Sequence, residues 1–400
     1  MNPTDPKPAA RVNLRTPDVM ARVQEQVEGH YHSSLVEQIR ANGGVFVSGK
    51  TTFRLAKQFG FCYGVERAID LAYAAGKVFS DRRIFLLGEI IHNPDVNAQI
   101  AALGIRTLPA RPSESELADL TSDDVVIVPA FGAEVSTVAA VKILGCQIVD
   151  TTCGDVMSVW KRVRQNAAED VTSIIHGKSA HEETRATASR ALGADATGHY
   201  LIVLDLAQAS TVADFLLHGG DPAEFLSRFA GATSPGFDPQ VHLQRIGVAN
   251  QTTMLRSETE AIQKLLREAI TQRDQGDAEN FRFFDTICGA TQERQDALFH
   301  LLNDPLDLLL VVGGYNSSNT SHLVEIGEKT LPTWFIRNAS CLVSSNEIRH
   351  FDLHKNLEST SSGWLPASES LTVGITAGAS CPNNLIEDTI RRILELRGEE

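Results

Sequence analysis

Two segments decide the reading of the fold: VDTTCGDV (Val149–Val156) and FDTICGAT (Phe284–Thr291). Each carries the string apolar-Asp-Thr-x-Cys-Gly, after an apolar strand-like run and before a helical pattern. A looser third copy is FGFCYGVERAI (Phe59–Ile69), again Cys, then Gly, then helix. Three cysteines, Cys62, Cys153 and Cys288, therefore sit at strand-to-helix junctions. That repetition predicts three related α/β modules, each presenting one thiol at the same architectural place.

The rest of the chain agrees with this class. Short apolar runs begin at Ile84, Val125, Gln147, Thr172, Tyr200, Leu308 and Leu371, and suit strands buried on both faces of mostly parallel sheets. Between them, Val65–Val78 and Met254–Thr271 show helical spacing of apolar residues. The expected organisation is an N-terminal helical extension over 1–50, then modules over 51–152, 153–286 and 287–400. The second module carries an insertion at about 193–245. Within it, the Gly- and Pro-rich stretch Gly219–Gln240 reads as a loop, and Leu353–Ser370 as a Ser/Thr-rich connector.

Composition limits the function. The chain has 400 residues, 42% apolar and 22% charged, too apolar for disorder. A net charge of −14 argues against nucleic-acid or anionic-membrane partners. The longest apolar runs, Val125–Ala133 and Leu306–Val312, fall far short of the ~20 residues of a spanning helix. The N-terminus lacks the apolar stretch of a signal peptide, so a cytoplasmic protein is expected. Six cysteines without a CxxC pair exclude common zinc and thioredoxin motifs.

A thiol at a helix N-terminus is favoured as thiolate, and a neighbouring Gly frees backbone amides. Three such thiolates leave one position of a four-iron cluster without a protein ligand. The same three would serve zinc with a water, and each taken singly is a small buried hydrophobe. Cys146 and Cys341 lack this context and are assigned to packing. Cys381 lacks it too.

Other polar clusters lie in loops. GGYNSSNTSHL (Gly313–Leu323) and TAGASCPNNLIEDTI (Thr376–Ile390) follow strands and offer amides and hydroxyls suited to phosphate oxygens. Neither is a Walker loop or a GxGxxG fingerprint. GEIIHNP (Gly88–Pro94) and HGKSAHEET (His176–Thr184) place histidines and a carboxylate after strands, where they can donate to phosphate or move protons. NQTT (Asn250–Thr253) alone reads as helix capping. Each of these is commonplace in isolation.

Taken in order, GFCYGVERAI, DTTC, HEET, NQTT, DTIC-x-AT-x-x-RQ, NSSN and TAGAS-x-P resemble the 4-hydroxy-3-methylbut-2-enyl diphosphate reductases of isoprenoid biosynthesis. The resemblance runs from about Phe59 to the C-terminus. It implies a [4Fe-4S] cluster on Cys62, Cys153 and Cys288, central to the modules, and reductive loss of the substrate hydroxyl to give isopentenyl and dimethylallyl diphosphates. It also implies diphosphate contacts from His92, His181, Ser317, Ser318, Asn319 and Ser380, and proton delivery by Glu183 with Thr252. Thr291 would line the site.

PAFGA (Pro129–Ala133), with AHEET, resembles the cyanobacterial and plant branch, whose electrons come from ferredoxin; a flavodoxin-type donor is of the same kind. Many bacterial members have His where Phe131 stands, so one phosphate donor is expected to be missing. Cys381 is a bystander beside Ser380. Lys161, Arg162 and Arg164 are a candidate basic face for the donor. A non-redox four-iron hydro-lyase and a phosphate-ligand-binding protein with a structural metal remain as alternatives.

Overall fold

The computed structural model describes residues 12–399. In chain order its strands are β1 (Val45–Ser48), β2 (Thr51–Leu55), β3 (Ile84–Leu87), β4 (Arg106–Leu108), β5 (Val125–Val128), β6 (Gln147–Asp150), β7 (Thr172–His176), β8 (Tyr200–Val203), β9 (Ile246–Asn250), β10 (Phe281–Phe283), β11 (Leu308–Val312), β12 (Thr333–Ile336), β13 (Glu347–Asp352), β14 (Leu357–Ser362) and β15 (Leu371–Ala377). Helices alternate with most of them, so the class is α/β with mostly parallel sheets. The described residues form two compact units, one of 85–88 and 107–288, the other of 12–84, 89–106 and 289–399.

The first unit holds two four-stranded sheets, in the orders β4-β3-β5-β6 and β10-β9-β7-β8. In the second of these, β7 pairs in parallel with both β8 and β9. Its alternating residues serve two cores. Ile174 and Val248 face Phe225, Phe229, Ile262 and Leu266, while Ile175 and Ala249 face Val159, Val163 and Ala188. Burial on both faces favours apolar residues, as in β8, while β7 and β9 also bury Thr172, Ser173, His176 and Asn250.

The second unit is built on a five-stranded sheet, β1-β2-β15-β11-β12. Only β1 and β2 pair antiparallel; β2–β15, β15–β11 and β11–β12 are parallel. Every residue of the interior strand β11 is buried. No described helix is long and apolar enough to cross a membrane.

Three stretches differ from their sequence reading. The N-terminal helical segment is two helices, Pro17–Tyr31 and Ser34–Ala41, because Ser33 leaves helical geometry and caps the second one through the Val36 N–H. The Gly219–Gln240 loop contains the helix Pro222–Arg228 and the start of Pro239–His242. In each, an Asp cap precedes a Pro at the first helical position. Leu353–Ser370 contains β14, which forms an antiparallel hairpin with β13. Its Ser/Thr side chains, exposed or half-buried, mask it as a strand.

Candidate active site

The three repeated cysteines end up where the repeat places them. Cys62 is the N-cap of the helix Tyr63–Val78 and Cys153 that of Gly154–Ala168; neither side chain is used for capping. Cys288 directly precedes the helix Gly289–Leu301. All three are partly exposed, whereas Cys146, Cys341 and Cys381 are buried. The buried thiols point to local partners: Cys146 to the Thr121 carbonyl, Cys341 to the Tyr315 hydroxyl, Cys381 to the Pro382 carbonyl. Burial also pushes the Cys381 thiol far up, out of thiolate range. Donor chemistry therefore separates the six cysteines into two sets, and Cys62, Cys153 and Cys288 fit a thiolate-ligated group.

The repeated Asp-Thr pairs do different work. Asp150 accepts from the N–H (3.0 Å) and hydroxyl (2.5 Å) of Thr152, closing the turn into Cys153. Asp285 instead pairs with Arg256 at 3.1 Å, and the Thr286 hydroxyl donates to Asn250.

Within the first unit a line of contacts runs from Cys153 to Cys288. The Cys153 N–H donates to the Ala130 carbonyl at 2.8 Å. Next to Ala130, the Phe131 ring packs edge-on against His181, centroids 6.3 Å apart. His181 caps the helix Glu182–Ala191, its Nδ1 accepting from the Glu183 N–H at 3.2 Å, so Nε2 carries the ring proton and is a donor. Glu183, 3% exposed, accepts from the Thr252 N–H at 2.6 Å and the Thr252 hydroxyl at 3.1 Å. The Thr252 carbonyl in turn accepts from the Cys288 N–H at 3.2 Å.

Phe131 thus supports His181 with its ring. Arg190 fixes the loop that carries it, donating to the Ala133 carbonyl at 2.8 Å while its guanidinium lies 3.2 Å over the Trp160 ring. Burial brings the Arg190 pKa down to about 10. NQTT is no helix cap. The following helix, Arg256–Arg273, starts without a side-chain cap, and Thr252 is committed to Glu183.

Within the second unit, His92, Ser317, Ser318, Asn319 and Ser380 gather at one end of the five-stranded sheet. Ser317 caps the helix Ser318–Gly327 by accepting from the Thr320 N–H. Asn319 Oδ1 accepts from the Ala379 N–H at 2.9 Å, and the Ser380 hydroxyl donates to the His92 carbonyl at 3.2 Å. A Cβ on Gly314 would stand 2.1 Å from that carbonyl, so only glycine allows this approach. His92 Nδ1 donates to Glu89 at 2.9 Å, since a carboxylate can only accept.

The Nδ2 of Asn319 is buried without a protein partner. An orphaned buried donor at a helix N-terminus, among hydroxyls and amides, fits an anionic oxygen. Thr291 is buried in the first helical turn after Cys288.

Two contributions escaped the sequence reading. Glu89 orients His92, and Arg294, six positions past Cys288, donates to the Gly60 carbonyl from Nε (3.2 Å) and Nη2 (2.6 Å). Arg294 stood inside the DTIC-x-AT-x-x-RQ motif, but only the tertiary contact shows its task.

A family model described as LytB protein matches residues 53–394. The 4-hydroxy-3-methylbut-2-enyl diphosphate reductase of Gloeobacter violaceus is 48% identical over 385 residues, covering 94% of this chain and 91% of the relative. That of Thermosynechococcus vestitus is 48% identical over 378 residues, covering 94% and 92%. Among solved structures, an (E)-4-hydroxy-3-methyl-but-2-enyl diphosphate reductase aligns with TM-score 0.51 and 26% identity, over 86% of this chain and 99% of that one. A reductase from Plasmodium falciparum aligns with TM-score 0.60 at 20% identity, over 86% and 87%, and supports the fold alone.

Proposed function

The chain belongs to the LytB protein family, and from that premise we propose that it reductively removes the hydroxyl of (E)-4-hydroxy-3-methylbut-2-enyl diphosphate. Two electrons and two protons are consumed. The C–O bond breaks, a C–H bond forms, the hydroxyl leaves as water, and isopentenyl and dimethylallyl diphosphates result. Cys62, Cys153 and Cys288 would hold a [4Fe-4S] cluster, which supplies the electrons one at a time and a Lewis-acidic iron.

Hydroxide is a poor leaving group, so a proton must reach it. The observation that carries the reading is the line Glu183–Thr252–Cys288, a buried carboxyl group joined through one residue to a cluster cysteine. Glu183 Oε1 faces a backbone N–H, which can only donate. Oε2 faces the Thr252 hydroxyl, which can donate or accept. A proton is therefore best held on Oε2, where the Thr252 hydroxyl turns to accept from it.

His92, His181, Ser317, Ser318, Asn319 and Ser380 would take the diphosphate, with Thr291 lining the site. In a chain of net charge −14, small donors and helix amides do this without a surplus of lysine or arginine. The electron donor would be a ferredoxin or flavodoxin. It would approach Lys161 and Arg164, exposed on the helix capped by Cys153. A cytoplasmic setting suits such a donor.

The test is anaerobic reconstitution, assay of iron and sulfide, and turnover with substrate and a low-potential reductant. Cys153→Ser should lose cluster and turnover together, and Cys146→Ser should keep both. A colourless wild-type protein without iron would defeat the reading.

A further inference from the structure

The helix Ser34–Ala41 belongs to the N-terminal segment, ahead of the first repeated Cys motif. We infer that Arg40, in its last turn, is a positioning residue for Cys62, acting through the backbone of the turn Phe59-Gly60-Phe61. The inference rests on the reading of Cys62 as a cluster ligand.

Arg40 donates to the Phe59 carbonyl at 3.0 Å, and its guanidinium carbon lies 4.3 Å from the centre of the Phe59 ring. The next carbonyl, that of Gly60, takes both bonds of the Arg294 fork. Two guanidiniums from distant parts of the sequence thus hold consecutive carbonyls, two and three residues before Cys62.

The turn has little freedom otherwise. Gly60 has φ +82°, and a Cβ there would come within 2.9 Å of Asn383 Oδ1. Glu37 and Glu66 lie near Arg40 and oppose the repulsion between it and Arg294.

The helix Pro17–Tyr31 adds a second hold. The Tyr31 ring packs against Phe61 at 5.4 Å, and its hydroxyl accepts from Tyr73, which is also hydrogen-bonded to His30. On the far side of the turn, the Cys62 N–H donates to the Ala379 carbonyl at 3.2 Å, beside Ser380. A shift of the turn therefore moves a proposed cluster thiol and a proposed diphosphate loop together. Partners that orient a metal ligand affect the metal strongly without touching it. Arg40 is exposed as a residue, and its Nη2 also reaches Asn383 Oδ1 at 3.5 Å.

The experiment compares full-length wild type, Arg40→Met and Arg40→Lys after anaerobic reconstitution. Iron release to a chelator is timed, and the electron paramagnetic resonance spectrum of the dithionite-reduced protein is recorded. Arg40→Met should release iron about tenfold faster and show shifted g values; Arg40→Lys, which keeps one donor, should fall between. A contact that only adds stability would lower the melting temperature and leave the spectrum alone. Wild-type release rate and spectrum in Arg40→Met would overturn the inference.

Hydrogen exchange over residues 59–63 gives a readout independent of iron. Faster exchange in Arg40→Met supports the clamp, and unchanged exchange overturns it. Should Arg40→Met not fold, Arg40→Lys and Phe59→Leu carry the same comparison. A wild type that holds no iron defeats the cluster reading instead, and is distinguished by that control.

Discussion

Both carboxylate oxygens of Glu183 are held by one residue, Thr252, through its backbone N–H at 2.6 Å and its hydroxyl at 3.1 Å. The two residues are 69 positions apart in sequence. The loops that bring them together are joined a second time by Gln251, whose Oε1 accepts from the Thr184 hydroxyl and the Lys178 N–H. A carboxyl group fixed at both oxygens has its direction set before substrate arrives, which in the proposed role of proton donor limits reorganisation during reaction.

Glu183→Gln should therefore lower turnover by roughly 10²-fold or more while iron content and substrate affinity stay near wild type. Thr252→Ala removes the hydroxyl but keeps the backbone N–H, so its loss should be smaller, about tenfold, the worth of one hydrogen bond. Steady-state kinetics with dithionite as reductant rank the two. Equal turnover in wild type and Glu183→Gln would remove the carboxyl group from the mechanism.

Asn319→Ala should raise KM about tenfold and leave the reduced-protein spectrum unchanged, because the side chain is proposed to contact the diphosphate. Its Nδ2 is buried without a protein partner while its Oδ1 holds the Ala379 N–H. A KM equal to that of wild type would contradict the placement.

Stability should fall in mild acid through a feature far from the chemistry. The His199 and His242 rings stack with centroids 3.5 Å apart. Burial lowers both pKa values below the ordinary 6.5, and His242 lowers that of His199 further, while Asp238 opposes the shift in His242. Unfolding then takes up protons, so the stabilisation is complete above about pH 6.5 and declines as pH falls below it. Urea midpoints at pH 7.5 and 5.5 should show the drop, and His199→Asn should flatten it.

Lys161→Glu with Arg164→Glu should slow turnover driven by an acidic ferredoxin and weaken its salt dependence. Turnover with dithionite should not change. Arg162 is left in place because its guanidinium stacks on Phe284, 4.7 Å from the ring centre. Identical ferredoxin kinetics in both proteins would move the docking face elsewhere.

The strands were legible because burial on two faces favours continuous Val, Ile and Leu, as in β5 and β11. The hairpin β13–β14 was not. Strand β13 has Ile348 as its one buried residue, and β14 is largely exposed with a Ser/Thr content that resembles a linker. The short helix Pro222–Arg228 hid for a different reason: its start signals are the same Asp-Pro pair that marks a turn.

The site divides along the same line. Local sequence determined that three thiols stand at helix starts, and that small hydroxyl and amide residues follow β11 and β15, because caps and loops obey short-range rules. Only tertiary structure decided that Thr252 serves Glu183 rather than a helix, that Phe131 braces His181, and that Arg40 and Arg294 share one turn. Those pairings join residues tens to hundreds of positions apart. A single side chain can cap, pack or donate, and which it does depends on what the folded chain brings within about 3 Å of it.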